Sequence, residues 1–135
     1  MKKLLLLLLF GTMAYAQPNI TAPMDLTSCE SNPGMAVFDL TVNNAVMLQG
    51  LTPSQYNVKY YETMSQANYG GADNLNPYNY VSMNNMVYAR VTEIADSSNY
   101  TVASFELMVV PTPAINICTQ IRKLMQRIPG TGFGR

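Results

Sequence analysis

Four stretches of the chain alternate apolar and polar side chains with a period of two, as a strand does when one face packs and the other meets water. Residues 35–41 place Ala36, Phe38 and Leu40 on one side and Asp39 and Thr41 on the other. In residues 56–61, Tyr56, Val58 and Tyr60 oppose Asn57, Lys59 and Tyr61. Residues 86–93 set Val87, Ala89 and Val91 against Tyr88, Arg90 and Thr92, and residues 101–109 set Ala103, Phe105, Leu107 and Val109 against Val102, Ser104 and Glu106. Weaker strands are expected at 19–28, where Pro23 marks an edge, and at 78–83. Breakers separate these segments, among them Ser31-Asn32-Pro33-Gly34, Gly70-Gly71-Ala72-Asp73-Asn74 and Asp96-Ser97-Ser98-Asn99. Residues 43–48 and 63–67 each suit about one helical turn, too short for a crossover helix, so a parallel sheet is not expected. The pattern predicts an all-β domain in which two antiparallel sheets of about seven strands pack as a sandwich.

The ends differ from this middle. Lys2 and Lys3 precede an apolar run, and Ala14-Tyr15-Ala16 supplies the small-x-small pattern of a signal-peptidase site, which predicts cleavage after Ala16. The apolar stretch 4–16 is shorter than the roughly 20 residues of a membrane span, so residues 1–16 are read as a signal peptide on an exported chain. No transmembrane span is expected once it is removed. Residues 17–113 form the sandwich domain, closed by Pro111-Thr112-Pro113. Residues 114–135 are a basic tail in which Ile117, Ile121, Leu124, Met125 and Ile128 suit one face of a short helix. That tail is unlike the domain, as in a truncated or frame-shifted gene.

Charge and composition narrow the chemistry. Only 12% of the 135 residues are charged, and histidine and tryptophan are absent. No basic excess suggests nucleic acid as a partner. Residues 17–113 hold all eight acids but only Lys59 and Arg90 as cations. Without histidine the commonest general base and zinc ligand are missing, and the scattered carboxylates define no glycosidase pair. No catalytic residues, metal site or cofactor are therefore expected, and a small secreted hydrolase is a poor third reading. Tyr69, Tyr78 and Tyr80 surround a Gly/Asn-rich connection where an exposed ring could stack on a sugar or contact a protein. Packing of these rings on the sheet is the plainer account.

A family resemblance rests on Leu26-Thr27-Ser28-Cys29-Glu30-Ser31-Asn32, Phe38-Asp39-Leu40-Thr41, Tyr60-Tyr61-Glu62-Thr63, Met86-Val87-Tyr88-Ala89-Arg90-Val91 and Ser104-Phe105-Glu106-Leu107 with Met108-Val109-Val110-Pro111. Over about residues 23–113 the chain resembles the extracellular immunoglobulin-like repeats of Bacteroidetes adhesin-like and gliding-associated surface proteins. The resemblance implies an immunoglobulin-like sandwich, a repeat domain, and export through the Sec and type IX systems. Where relatives carry an acidic loop suited to a cation, Glu30-Ser31-Asn32-Pro33-Gly34 keeps one carboxylate, too few for a hard cation. Where they tend to place a second cysteine, this chain has Ser98-Asn99-Tyr100. The remaining pair, Cys29 and Cys118, either forms a disulfide or stays as two thiols with Cys29 buried.

The expected function is that of a non-catalytic module of a bacterial cell-surface or secreted adhesin-like protein, acting as a spacer or contact domain. Its partners would be other extracellular domains or surface glycans. The alternative is a free-standing secreted carbohydrate-binding domain.

Overall fold

A computed structural model describes residues 16–113. The expected leader up to residue 15, the tail and Cys118 lie outside the described residues. The elements run β1 (Leu26–Asn32), β2 (Met35–Phe38), α1 (Val42–Met47), a 3-10 turn (Pro53–Gln55), β3 (Tyr56–Tyr61), α2 (Met64–Tyr69), β4 (Tyr80–Ser82), β5 (Asn85–Glu93) and β6 (Tyr100–Val110). The strands pair in the order β3-β5-β6-β1-β2-β4. The described chain is thus mostly β, with two helices of six residues each.

Alternation fixes the core. Val87 lies opposite Phe105, and Ala89 sits between Tyr60 and Ala103 across the three-strand run β3-β5-β6. Val87, Ala89 and Val91 are fully buried, as are Ala36 and Leu40 from the segment containing β2. All five belong to one cluster with Phe38, Met47 and Phe105. Residues so far apart in the strand order meet only because the sheet curls over this cluster, the outcome expected when twisted strands have one apolar face to bury. Tyr60 meets Phe105 edge to face, with ring centroids 6.1 Å apart and planes at 89°.

β1 joins the two ends of the sheet. Leu26 to Cys29 pair in parallel with Leu107 to Val110 of β6, while Glu30 and Asn32 pair antiparallel with β2 across a bulge. The sheet is therefore mixed, which corrects the expectation of purely antiparallel pairing. A parallel pair requires a long crossover, and here the connection is the whole run of elements from β2 to β5 rather than a helix. Six strands, not seven, pair among the described residues. Pro33-Gly34 turns β1 into β2, with Gly34 at φ 76° as the third position of a type II turn requires. The Glu30 carboxylate accepts the Gly34 backbone N–H, so the lone acid of this loop braces the turn.

Two strand expectations are shortened. β2 ends at Phe38 because Asp39 Oδ1 accepts the Thr41 backbone N–H at 2.9 Å and its hydroxyl at 2.5 Å, turning the chain into α1. Leu40 remains inside, its N–H donating to the Pro77 carbonyl at 2.7 Å. Residues 19–25 are not a strand but are pinned piecewise. The Thr21 N–H reaches the Met47 carbonyl at 3.2 Å, and the Thr101 hydroxyl donates to the Pro18 carbonyl at 2.7 Å. Fully buried Asn43 accepts the Met24 N–H and donates to the Met24 carbonyl, both at 2.9 Å. One amide thus replaces a pair of ladder hydrogen bonds.

Burial pushes the Tyr60 phenol above its ordinary value, and the negative charge of Asp39 adds to the effect. Its hydroxyl donates to Asn44 Oδ1. A folded pKa above the unfolded one means that the folded state keeps a proton the unfolded state releases. Stability from this group is complete below about pH 10 and is lost as pH rises towards the folded value, by at most about 1.4 kcal/mol per pH unit. Urea unfolding between pH 8 and 11 is expected to show this decline. Tyr60→Phe should start less stable at pH 8 but decline less steeply above pH 10; parallel profiles would contradict the assignment.

Candidate functional site

Alternation places Tyr61 and Arg90 on the outer, polar face of β3 and β5, yet Tyr61 is fully buried and Arg90 only 8% exposed. The cover is α2. Thr63 starts it with a capping box: its hydroxyl oxygen accepts the Gln66 N–H at 3.2 Å, and Gln66 Oε1 accepts the Thr63 N–H at 3.2 Å. Gly70 ends it in the left-handed region at φ 71°.

Arg90 fastens the end of α2 to the sheet. Nη1 donates to the carbonyls of Ala67 and Asn68 at 2.9 and 2.7 Å, groups left without helical partners at a C-terminus. Nε donates to Thr92 Oγ1 at 3.0 Å and Nη2 to the Ser97 carbonyl at 3.4 Å. The guanidinium carbon lies 3.4 Å from the centroid of the Tyr100 ring. A Cβ at position 70 would come within 2.8 Å of that carbon, so glycine is needed both for the backbone and for the space. Tyr61 donates its hydroxyl to the Gly71 carbonyl at 3.1 Å. Burial raises its pKa, against the opposing pull of the Arg90 charge.

A pocket of 290 Å³ opens on this face. Its lining includes Asn57, Lys59, Arg90 and Thr92 of the two strands, Gly70 at the end of α2, and Ile94 and Ser97 of the β5–β6 loop. That loop is held by Asp96, which accepts the Ser98 N–H at 2.9 Å and hydroxyl at 2.6 Å. These hydrogen bonds keep the Asp96 carboxyl below the usual carboxylate range.

The tyrosines named from the sequence occupy separate settings. Tyr69 closes α2 with 88% of its surface exposed, and Tyr78 lies in the loop before β4 with 67% exposed. Tyr80 is half-buried on β4 and donates its hydroxyl to Glu62 Oε1 at 3.0 Å. Burial raises its pKa first, with Glu62 adding to the rise and hydrogen bonds from Ser82 and Asn85 opposing it. None of the three lines the pocket on the β3–β5 face. Among the described residues no group of three or more His, Cys, Asp and Glu is placed to hold a metal ion.

Cys29 is exposed on β1, which corrects the alternative in which its thiol is buried. It is in register with Val110, the last residue of β6. The thiol therefore lies on the strand beside the one from which the chain leaves the sheet. Sequence reasoning found this residue but could not place it.

An exposed cysteine thus stands on the strand beside the exit of this small β domain. Residues 25–113 match FIDD, the Flavobacterium inter-domain disulphide bond domain, and the chain belongs to that family. No curated protein matches the chain. No solved structure matches it either. Among the described residues no helix is long and apolar enough to cross a membrane.

Proposed function

We propose that the chain is a non-catalytic exported module of a bacterial cell-surface or secreted adhesin-like protein, a spacer or contact domain whose Cys29 ties it covalently to the chain beyond its last strand. The observation that carries this reading is the exposed Cys29 in register with Val110. A family described by an inter-domain disulphide supports it. So do the leader-like residues 1–16 and the absence of histidine from the chain. The immunoglobulin-like sandwich is part of the same reading, supported by a β1 that divides its pairing between the two ends of the curled sheet.

Cys118 is the cysteine that this chain offers beyond Val110. The intervening residues span at most about 27 Å when extended, ample for a turn that returns a thiol to within disulfide distance of β1. Such a bridge closes most of the domain into a loop and stabilises it by about 4 to 5 kcal/mol in the chain-entropy account.

A protease site inserted after Pro113 tests the linkage. After cleavage the two pieces are expected to migrate together without reductant and to separate with it. In Cys29→Ser they should separate in both conditions; separation of the unreduced parent protein would refute the linkage.

A further inference from the structure

The domain's two cations stand side by side. Lys59 of β3 and Arg90 of β5 are directly paired in register, and both line the 290 Å³ pocket. They are the only Lys and Arg among residues 17–113, which hold eight acids. Like charges directly opposite each other repel, and while Arg90 is held there by its bonds to α2, no hydrogen bond of the Lys59 side chain among the described residues explains a second cation beside it. One acid shares the pocket, Glu93, whose Oε2 accepts the Asn99 Nδ2 amide at 2.7 Å. The lining still carries one net positive charge on a domain whose formal charge is strongly negative.

The hydrogen bonds of Arg90 also leave it incompletely used. A guanidinium has five N–H donors. Four hydrogen bonds are made, to three carbonyls and a hydroxyl, and the weakest, from Nη2 to Ser97, is 3.4 Å long. None of these acceptors neutralises the charge. One Nη2 N–H has no acceptor among these bonds.

We propose that this pocket binds the carboxylate of a uronic-acid sugar, with Lys59 and the Arg90 Nη2 edge receiving the charge. Asn57, Thr92 and Ser97 supply amide and hydroxyl groups suited to ring hydroxyls. The volume is at the small end for ligand sites and fits a single sugar unit rather than a folded partner. The site goes beyond the linkage role of Cys29 and does not depend on it. The exposed tyrosines are not part of it.

Calorimetric titration of the full chain with a short oligogalacturonate tests the proposal, alongside its methyl ester and an acidic peptide of equal charge. The free acid is expected to bind, more weakly as salt is added, and the ester is expected not to. Lys59→Met should weaken binding by about tenfold or more with a urea midpoint no lower than the parent's, and Lys59→Arg should restore binding. Failure of the free acid to bind, equal binding of the ester, or unaltered binding by Lys59→Met would overturn the carboxylate site. Binding of the acidic peptide as tight as that of the oligogalacturonate would overturn the sugar assignment.

Discussion

Replacing Arg90 by methionine is expected to lower the unfolding free energy by about 3 kcal/mol, because it strips two helix-terminal carbonyls of their donor and removes a cation from an aromatic face. The carbonyls concerned are those of Ala67 and Asn68, and the ring is that of Tyr100. Methionine fills part of the same volume, so the loss reports polar satisfaction more than a cavity. Arg90→Lys keeps the charge but offers a point donor instead of a planar fork, and should recover about half of the loss. Urea unfolding followed by circular dichroism measures both. A methionine variant as stable as the parent would mean that α2 is held by its apolar contacts alone.

Asn43 should give the second large effect. Asn43→Leu leaves the N–H and carbonyl of Met24 unpaired beside a fully buried position, at a cost of about 2 to 3 kcal/mol. Asn43→Asp separates the donor from the acceptor. At neutral pH its carboxylate accepts the Met24 N–H but cannot donate to the Met24 carbonyl, and it buries a charge. Burial raises the carboxyl pKa, so the folded state takes up a proton on acidification and stability relative to the parent returns as pH falls through that value. Urea midpoints for the aspartate variant should therefore approach the parent's between pH 7 and 4. A constant deficit over that range would contradict the two-bond role of the amide.

What could be read from the chain follows from which faces pack. β3, β5 and β6 were legible because Tyr60, Val87, Ala89, Val91, Phe105 and Leu107 alternate with polar residues, and all six are buried. The two short helices, Val42–Met47 and Met64–Tyr69, fall where single helical turns were expected at 43–48 and 63–67, the second running two residues further. β1 was misread because Cys29-Glu30-Ser31-Asn32 has no apolar alternation; its pairing depends on β2 and β6, which a local pattern does not contain. The pairing with β6 joins residues some eighty positions apart. No periodicity reports such a contact.

The site was less legible than the fold. Alternation put Lys59, Tyr61 and Arg90 on an outer face, correctly as to side but not as to burial, since α2 lies over that face. One signal was present: an otherwise acidic segment with two cations, each in the polar half of an alternating strand. Cys29 was identifiable as chemistry, but its place beside Val110 came only with the parallel register. Asn43 gave no sign of burial, because a short polar side chain next to a turn usually faces water.

The central claim is a covalent link made outside the cell from Cys29 to chain beyond the domain. Peptide mass mapping of unreduced protein recovered from outside the cell, alkylated before digestion, tests it most directly. The account predicts a mature chain beginning at Gln17 and Cys29 recovered in disulfide linkage with a cysteine beyond residue 113. Cys29 recovered as its alkylated thiol in that exported protein would contradict it.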